Sequence, residues 1–213
     1  MERLAYKQLL NWKKRSIRKP LVVRGLRQVG KTWLIKRFGE NDFASFAYVN
    51  CDSNRQLKEL FEDDFDTKRI LRGLSAITGV RIAAGETLVF LDEIQEIPRA
   101  VQSLKYFCEE ASEYHIIAAG SLLGIHEHKD ISFPVGKIES FEMHPLSFSE
   151  FILAVAGKPM FDFLSKSPMD ELIGMHTKLT EYLRQYYFTG GMPEAVQAFI
   201  DNKSPKEVRD IQK

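Results

Sequence analysis

The chain has 213 residues, 44% of them hydrophobic, and its 30 basic and 29 acidic side chains give a formal net charge of +1. That length supports one sizeable core, or one large domain with a small appendage, and the balanced charge excludes a global field drawing nucleic acid or an anionic membrane. No stretch approaches the roughly 20 apolar residues of a membrane span, and the start MERLAYKQLLNWKKR lacks the apolar core of a secretory signal, so a cytoplasmic protein with no membrane partner is expected.

In chain order, Ala5, Leu9 and Trp12, with Tyr6 and Leu10 beside them, form the stripe of an amphipathic helix over 2–17 that Pro20 ends. Its end carries KKRSIRK at 13–19, read as a solvated helix terminus where cations suit the dipole, with contact to nucleic-acid phosphates as the alternative. Short β-like runs follow: LVV at 21–23, FAYVN at 46–50, TLVFLD at 87–92, HIIAAG at 115–120 and KIESFEM at 137–143. Between them KTWLIKRF, RQLKELFED, TKRILRGLSAI and PRAVQSLKYFCEEA read as helices, and strands alternating with helices predict an α/β fold with a largely parallel sheet covered on both faces. ELFEDDFD at 59–66 reads as a solvated acidic loop, and the widely separated Cys51 and Cys108 as small buried hydrophobes.

After Pro145 the pattern turns helical, in SFSEFILAVAG and in LTEYLRQYYFTGG, where Gly190-Gly191 is the stop signal and Tyr186, Tyr187 and Phe188 read as core. The boundary falls near 145, giving a core over 1–145 and a helical region over 146–213. SPKE at 204–207 has the form of a capping box opening another helix, and its shortness predicts that a longer natural protein continues beyond it. HEH at 126–128 has the spacing of a strand-borne metal pair but no third ligand, and is read as a loop.

The strongest chemical signal is GLRQVGKTW at 25–33. Gly25, Leu26, Arg27, Gln28, Val29, Gly30, Lys31 and Thr32 fit G-x-x-x-x-G-K-[ST] between a strand and a helix, and Trp33 follows. The glycines let successive N–H groups turn inward as a nest for phosphate oxygens; Lys31 would reach the β- and γ-phosphates and the Thr32 hydroxyl would ligate Mg²⁺. About 60 residues on, a strand ends in Asp92 and Glu93. Two acids there could cap a helix; after a phosphate loop, Asp92 fits the Mg²⁺ shell and Glu93 fits activation of an attacking water. Ser121, after HIIAAG, is either an ordinary loop serine or a polar contact to the γ-phosphate.

Taken in order, LVVRGLRQVGKTWLIKRFG, TLVFLDEIQEIP, AAGSLLG, HPLSFSEF and GGMPEAV resemble the prokaryotic AAA-type ATPases that carry an N-terminal P-loop domain and a poorly characterised, restriction-nuclease-like C-terminal domain. The resemblance implies an ASCE-type P-loop sheet in which the Asp92 strand does not adjoin the loop strand, with Ser121 as a γ-phosphate sensor and a helical lid after 145. It implies ATP and Mg²⁺ as cofactors and the missing C-terminal domain as a partner; such proteins commonly assemble into rings, so a homo-oligomer is an expectation. Where the family often has Gly-Arg, this chain has Gly136-Lys137, and Lys lacks the bidentate fork of Arg, so no arginine finger is assigned.

The reading is therefore an ATPase acting as motor or switch. The rivals are a nucleotide-gated protein- or DNA-binding module with little hydrolysis and a P-loop small-molecule kinase; an N-K-x-D guanine signature is absent after the Asp92 strand.

Overall fold

The structure, a computed structural model, describes residues 1–121, 134, 136–202 and 209. The HEH motif and the SPKE box lie outside the described residues. Contacts divide the chain into two compact units, one of Lys7–Met143 and one of Met1–Tyr6 with His144–Lys213.

The larger unit is built on a five-stranded parallel sheet: β1 (Leu21–Gly25), β2 (Ser45–Asn50), β3 (Thr87–Asp92), β4 (His115–Ser121) and β5 (Glu139–Met143), in the order β2-β3-β4-β1-β5. β4 thus separates β1 from β3, the separation that the resemblance implied. All six residues of β3 are buried, as expected of an interior strand covered on both faces. One face packs α3 (Arg55–Glu62), α4 (Thr67–Thr78) and α5 (Pro98–Glu110) through Leu57, Phe61, Ile70, Leu74, Leu104 and Phe107 against Val89, Leu91, Ile116 and Ala118. The opposite face takes α2 (Lys31–Asp42), whose Leu34, Ile35 and Phe38 are fully buried, and Trp12 of α1 (Tyr6–Lys13), set edge-on to His115.

Several details differ from the sequence expectations. The first helix is shorter than 2–17: Arg18 donates to the carbonyls of Lys13 and Arg15 and the Trp12 indole donates to Lys19 O, closing α1 early. The basic run is largely occupied within the fold, with Lys13 on Asp42 O and over the Phe43 ring, Arg15 on Glu139, and Lys19 on Gly136 O. The acidic stretch is also structural, since Glu59 to Glu62 are helical, Asp66 caps α4 and Asp64 pairs with Arg69. Cys51 is buried, whereas Cys108 is only partly so.

The second unit holds α6 (Phe148–Lys166, kinked at Gly157), α7 (Met169–Gly174), α8 (His176–Thr189) and α9 (Pro193–Asn202). Ser147 and Glu150 form a capping box at the start of α6, and the Glu150 carboxylate also accepts from the Arg3 guanidinium and the Leu4 amide. Burial opposes that charge, but the amides of Ser147 and Leu4 and the Arg3 guanidinium outweigh it and hold the carboxyl below the usual range. Leu146 N donates to Gly191 O at 2.7 Å, and a Cβ on Gly191 would lie 2.3 Å from Leu146 O, so this close approach requires glycine. HPLSFSEF and GGMPEAV are therefore the two sides of one packing contact. Tyr186 packs on Phe148 and Phe151, while Tyr187 is 77% exposed and is not core. Among the described residues no helix is long and apolar enough to cross a membrane.

His115 yields a test of this packing. Burial, followed by the charges of Arg18 and Lys13, lowers its pKa to about 4. The folded pKa lies below the unfolded one, so the stability concerned is present above pH 6.5 and is lost on acidification towards 4. Urea unfolding is expected to show a loss of about 2 kcal/mol from this group between pH 7 and 5, and His115→Phe to flatten that part of the dependence.

Candidate functional site

The site grows from the end of β1. Gly25 must be glycine because a Cβ there would meet Met143 O of the neighbouring β5 at 2.2 Å. The loop then turns through Gln28, a non-glycine residue at φ 65°, and Gly30 at φ 90°, conformations that turn the chain back into the first turn of α2. Val29 is fully buried and anchors the loop from below, while Leu26 and Arg27 are exposed.

Lys31 is 7% exposed and donates to Gly25 O at 3.0 Å and Leu26 O at 2.7 Å. An ammonium has three donors, so one remains after these two bonds. Burial lowers its pKa, opposed by the charges of Glu93 and Asp92. Thr32, the next residue, donates its hydroxyl to Asp92 Oδ2 at 2.8 Å.

Asp92 ends β3 in register with Asn50 of β2 and is 4% exposed. Its Oδ2 also lies 3.4 Å from the Tyr48 hydroxyl, and its Oδ1 accepts from the Glu93 amide. Burial raises its pKa and the charge of Glu93 adds to this, against the bond from Thr32. Glu93 itself has left-handed backbone angles, φ 50° and ψ 44°, which set the direction in which its side chain leaves the strand end.

These parts share an open cavity of about 610 Å³. Of the sequence-predicted residues, Arg27, Gln28, Gly30, Lys31, Thr32, Trp33 and Glu93 line it. Asp92 sits behind Thr32, Val29 faces the core, and Leu26 and Gly25 are not on its wall. Ser121 ends β4 in register with Gly25, which brings its backbone beside the loop. Lys137 pairs with Glu109 of α5 at 2.8 Å and is not among the lining residues.

Sequence reasoning missed Asn50, Asp52 and Glu96, which complete the wall, and Gln95, whose amide reaches Glu93 Oε2 at 2.7 Å. The available signal was positional: Asn50 is the polar tip of the strand paired with β3, and Gln95 is polar between the buried Ile94 and Ile97.

A family model described as an AAA domain matches residues 17–152, more than half of the chain. No curated protein matches it. Among solved structures, the Aeropyrum pernix Orc1 protein in complex with DNA is similar at 16% identity, over 68% of this chain and 46% of that one, with a TM-score of 0.41. PCH-2 of C. elegans is similar at 13% identity, over 99% of this chain and 65% of that one, with a TM-score of 0.46. Each match thus spans less than two thirds of the other chain.

The burial of Asp92 makes a prediction for the protein without ligand. A desolvated carboxylate beside Glu93 costs stability in its ionised form, so Asp92→Asn is expected to unfold at the same or a higher urea concentration at pH 7. A clear fall in the midpoint would show that Asp92 supports the fold rather than burdens it.

Proposed function

The chain belongs to the AAA domain family, an ATPase-type nucleotide-binding fold, and on that premise we propose that it binds ATP with Mg²⁺ and hydrolyses it. The observation that carries this reading is the 2.8 Å bond from Thr32 to Asp92, beside a cavity that also presents Lys31 and Glu93. The donor set suits a small hard cation. Mg²⁺ takes oxygen ligands, needs only one or two from protein, and fills the rest of its shell with water and phosphate. Among the described residues no group of three or more His, Cys, Asp or Glu is placed to hold a metal ion.

In this reading Thr32 Oγ1 and Asp92 would hold Mg²⁺, which when bound neutralises charge on the β- and γ-phosphates. The loop N–H groups and Lys31 bind the phosphate oxygens, Lys31 exchanging carbonyl partners for phosphate. Arg27, which makes no hydrogen bond or ion pair with the described residues, adds a second cation on the cavity wall. Glu93 accepts a proton from a water as that water's oxygen bonds to the γ-phosphorus; the bond from phosphorus to the β,γ-bridging oxygen breaks, leaving ADP and phosphate. Trp33, 44% exposed at the rim with Arg37 over its ring, lies where a bound nucleotide alters its surroundings, whereas Trp12 is buried. Use of the cycle as a motor or switch for a further domain rests on the resemblance of the sequence motifs alone.

The test is steady-state Mg²⁺-dependent ATP turnover, with binding followed through Trp33 fluorescence. Glu93→Gln is expected to lower kcat about 100-fold or more while nucleotide still binds, and Lys31→Ala to lose binding. Trp33→Phe should remove the fluorescence response and leave turnover measurable. Binding without turnover in the wild type would favour the nucleotide-gated module instead.

A further inference from the structure

We propose that Gln95 is a positioning residue for Glu93, holding one carboxylate oxygen so that the other is presented to the water; this rests on the ATPase reading above. Gln95 lies in the 3₁₀ turn Ile94–Glu96 that follows β3 and is 6% exposed. Its Nε2 donates to Glu93 Oε2 at 2.7 Å and makes a longer contact to Glu96 Oε1 at 3.4 Å. Both acids line the phosphate-loop cavity.

The orientation of this amide follows from chemistry. Ionised carboxylates only accept hydrogen bonds, so the nitrogen must face Glu93 and Glu96, and the oxygen must point the other way. There Gln95 Oε1 is buried and has no partner among the described residues. An orphaned buried acceptor is costly, and an apolar side chain of the same length would avoid that cost. A glutamine chosen for packing would not leave its oxygen stranded in order to aim its nitrogen at two acids.

The consequence for Glu93 is a fix at two points. Its left-handed backbone sets where the side chain starts, and the Gln95 bond sets where it ends. With Oε2 committed, Oε1 is the oxygen left to accept a proton. The shared amide also lies between two like charges, Glu93 and Glu96, that would otherwise repel each other apart. Glu93 also acts through its charge on Lys31, which is bonded to the loop carbonyls, and on Asp92, which accepts from Thr32, while Arg27 and Asp52 line the same cavity.

Gln95→Met keeps the length of the side chain and removes both polar ends. It is expected to lower kcat about 10- to 100-fold with the Kd for Mg·ATP within about 2-fold, and to leave the urea midpoint unchanged or raised. A merely structural glutamine predicts the reverse, a lower midpoint with full kcat. Gln95→Glu, isosteric but without a donor when ionised, should be at least as impaired as Gln95→Met. Because Gln95 acts through Glu93, the Glu93→Gln/Gln95→Met double variant should turn over no more slowly than Glu93→Gln alone. Full or raised kcat in Gln95→Met, or additive losses in the double variant, would overturn the inference while leaving the ATPase reading intact if Glu93→Gln alone is inactive. Undiminished turnover in Glu93→Gln would overturn both.

Discussion

A single 2.8 Å hydrogen bond, from the Thr32 hydroxyl to Asp92, joins the start of α2, the helix that follows β1, to the end of β3, which lies two places from β1 in the sheet. Neighbouring strands lie about 4.8 Å apart, so inserting β4 opens roughly 10 Å between the tips of β1 and β3. That gap gives the loop after β1 room to turn before α2 begins, while α2 brings Thr32 back over the gap. In this sheet order the bond from Thr32 to Asp92 ties the two strand ends together across β4.

What the fold gives up at this place is stability. Asp92 is ionisable and buried, Lys31 is desolvated, and Gln95 leaves an acceptor without a partner among the described residues. Among the described residues, two of the three non-glycine ones with positive φ, Gln28 and Glu93, lie on the cavity wall. Such strain persists only where surrounding packing over-determines it. Here Val29 below the loop and the six buried residues of β3 supply that packing.

Much of this was legible in the sequence because it is local. GLRQVGKT and TLVFLDE carry their chemistry within a few residues, and the strand runs match β1 to β5 with shifts only at their ends. The sheet order came from the resemblance of motifs, since nothing in periodicity distinguishes β3 beside β1 from β3 beside β4. What stayed hidden depends on tertiary contact. The basic run at 13–19 read as a solvated helix end, yet Asp42, Glu139 and Gly136 occupy much of it. HPLSFSEF and GGMPEAV were motifs of the family resemblance, and they meet each other through Leu146 and Gly191. Asp64 and Asp66, read as a solvated acidic loop, are committed to Arg69 and the start of α4. Gln95 is one polar letter in DEIQ until the turn folds it back onto Glu93.

The central claim is that this cavity takes a nucleoside triphosphate together with a cation held by Thr32 and Asp92. Calorimetric titration of ATP into the wild-type chain, with Mg²⁺ and again with EDTA, tests it directly, and Thr32→Val repeats the comparison without the hydroxyl. The account predicts saturable binding that weakens about 10-fold or more when Mg²⁺ is chelated, and a much smaller difference in Thr32→Val. Equal affinity with and without Mg²⁺ in the wild type, or no binding at all, would contradict it.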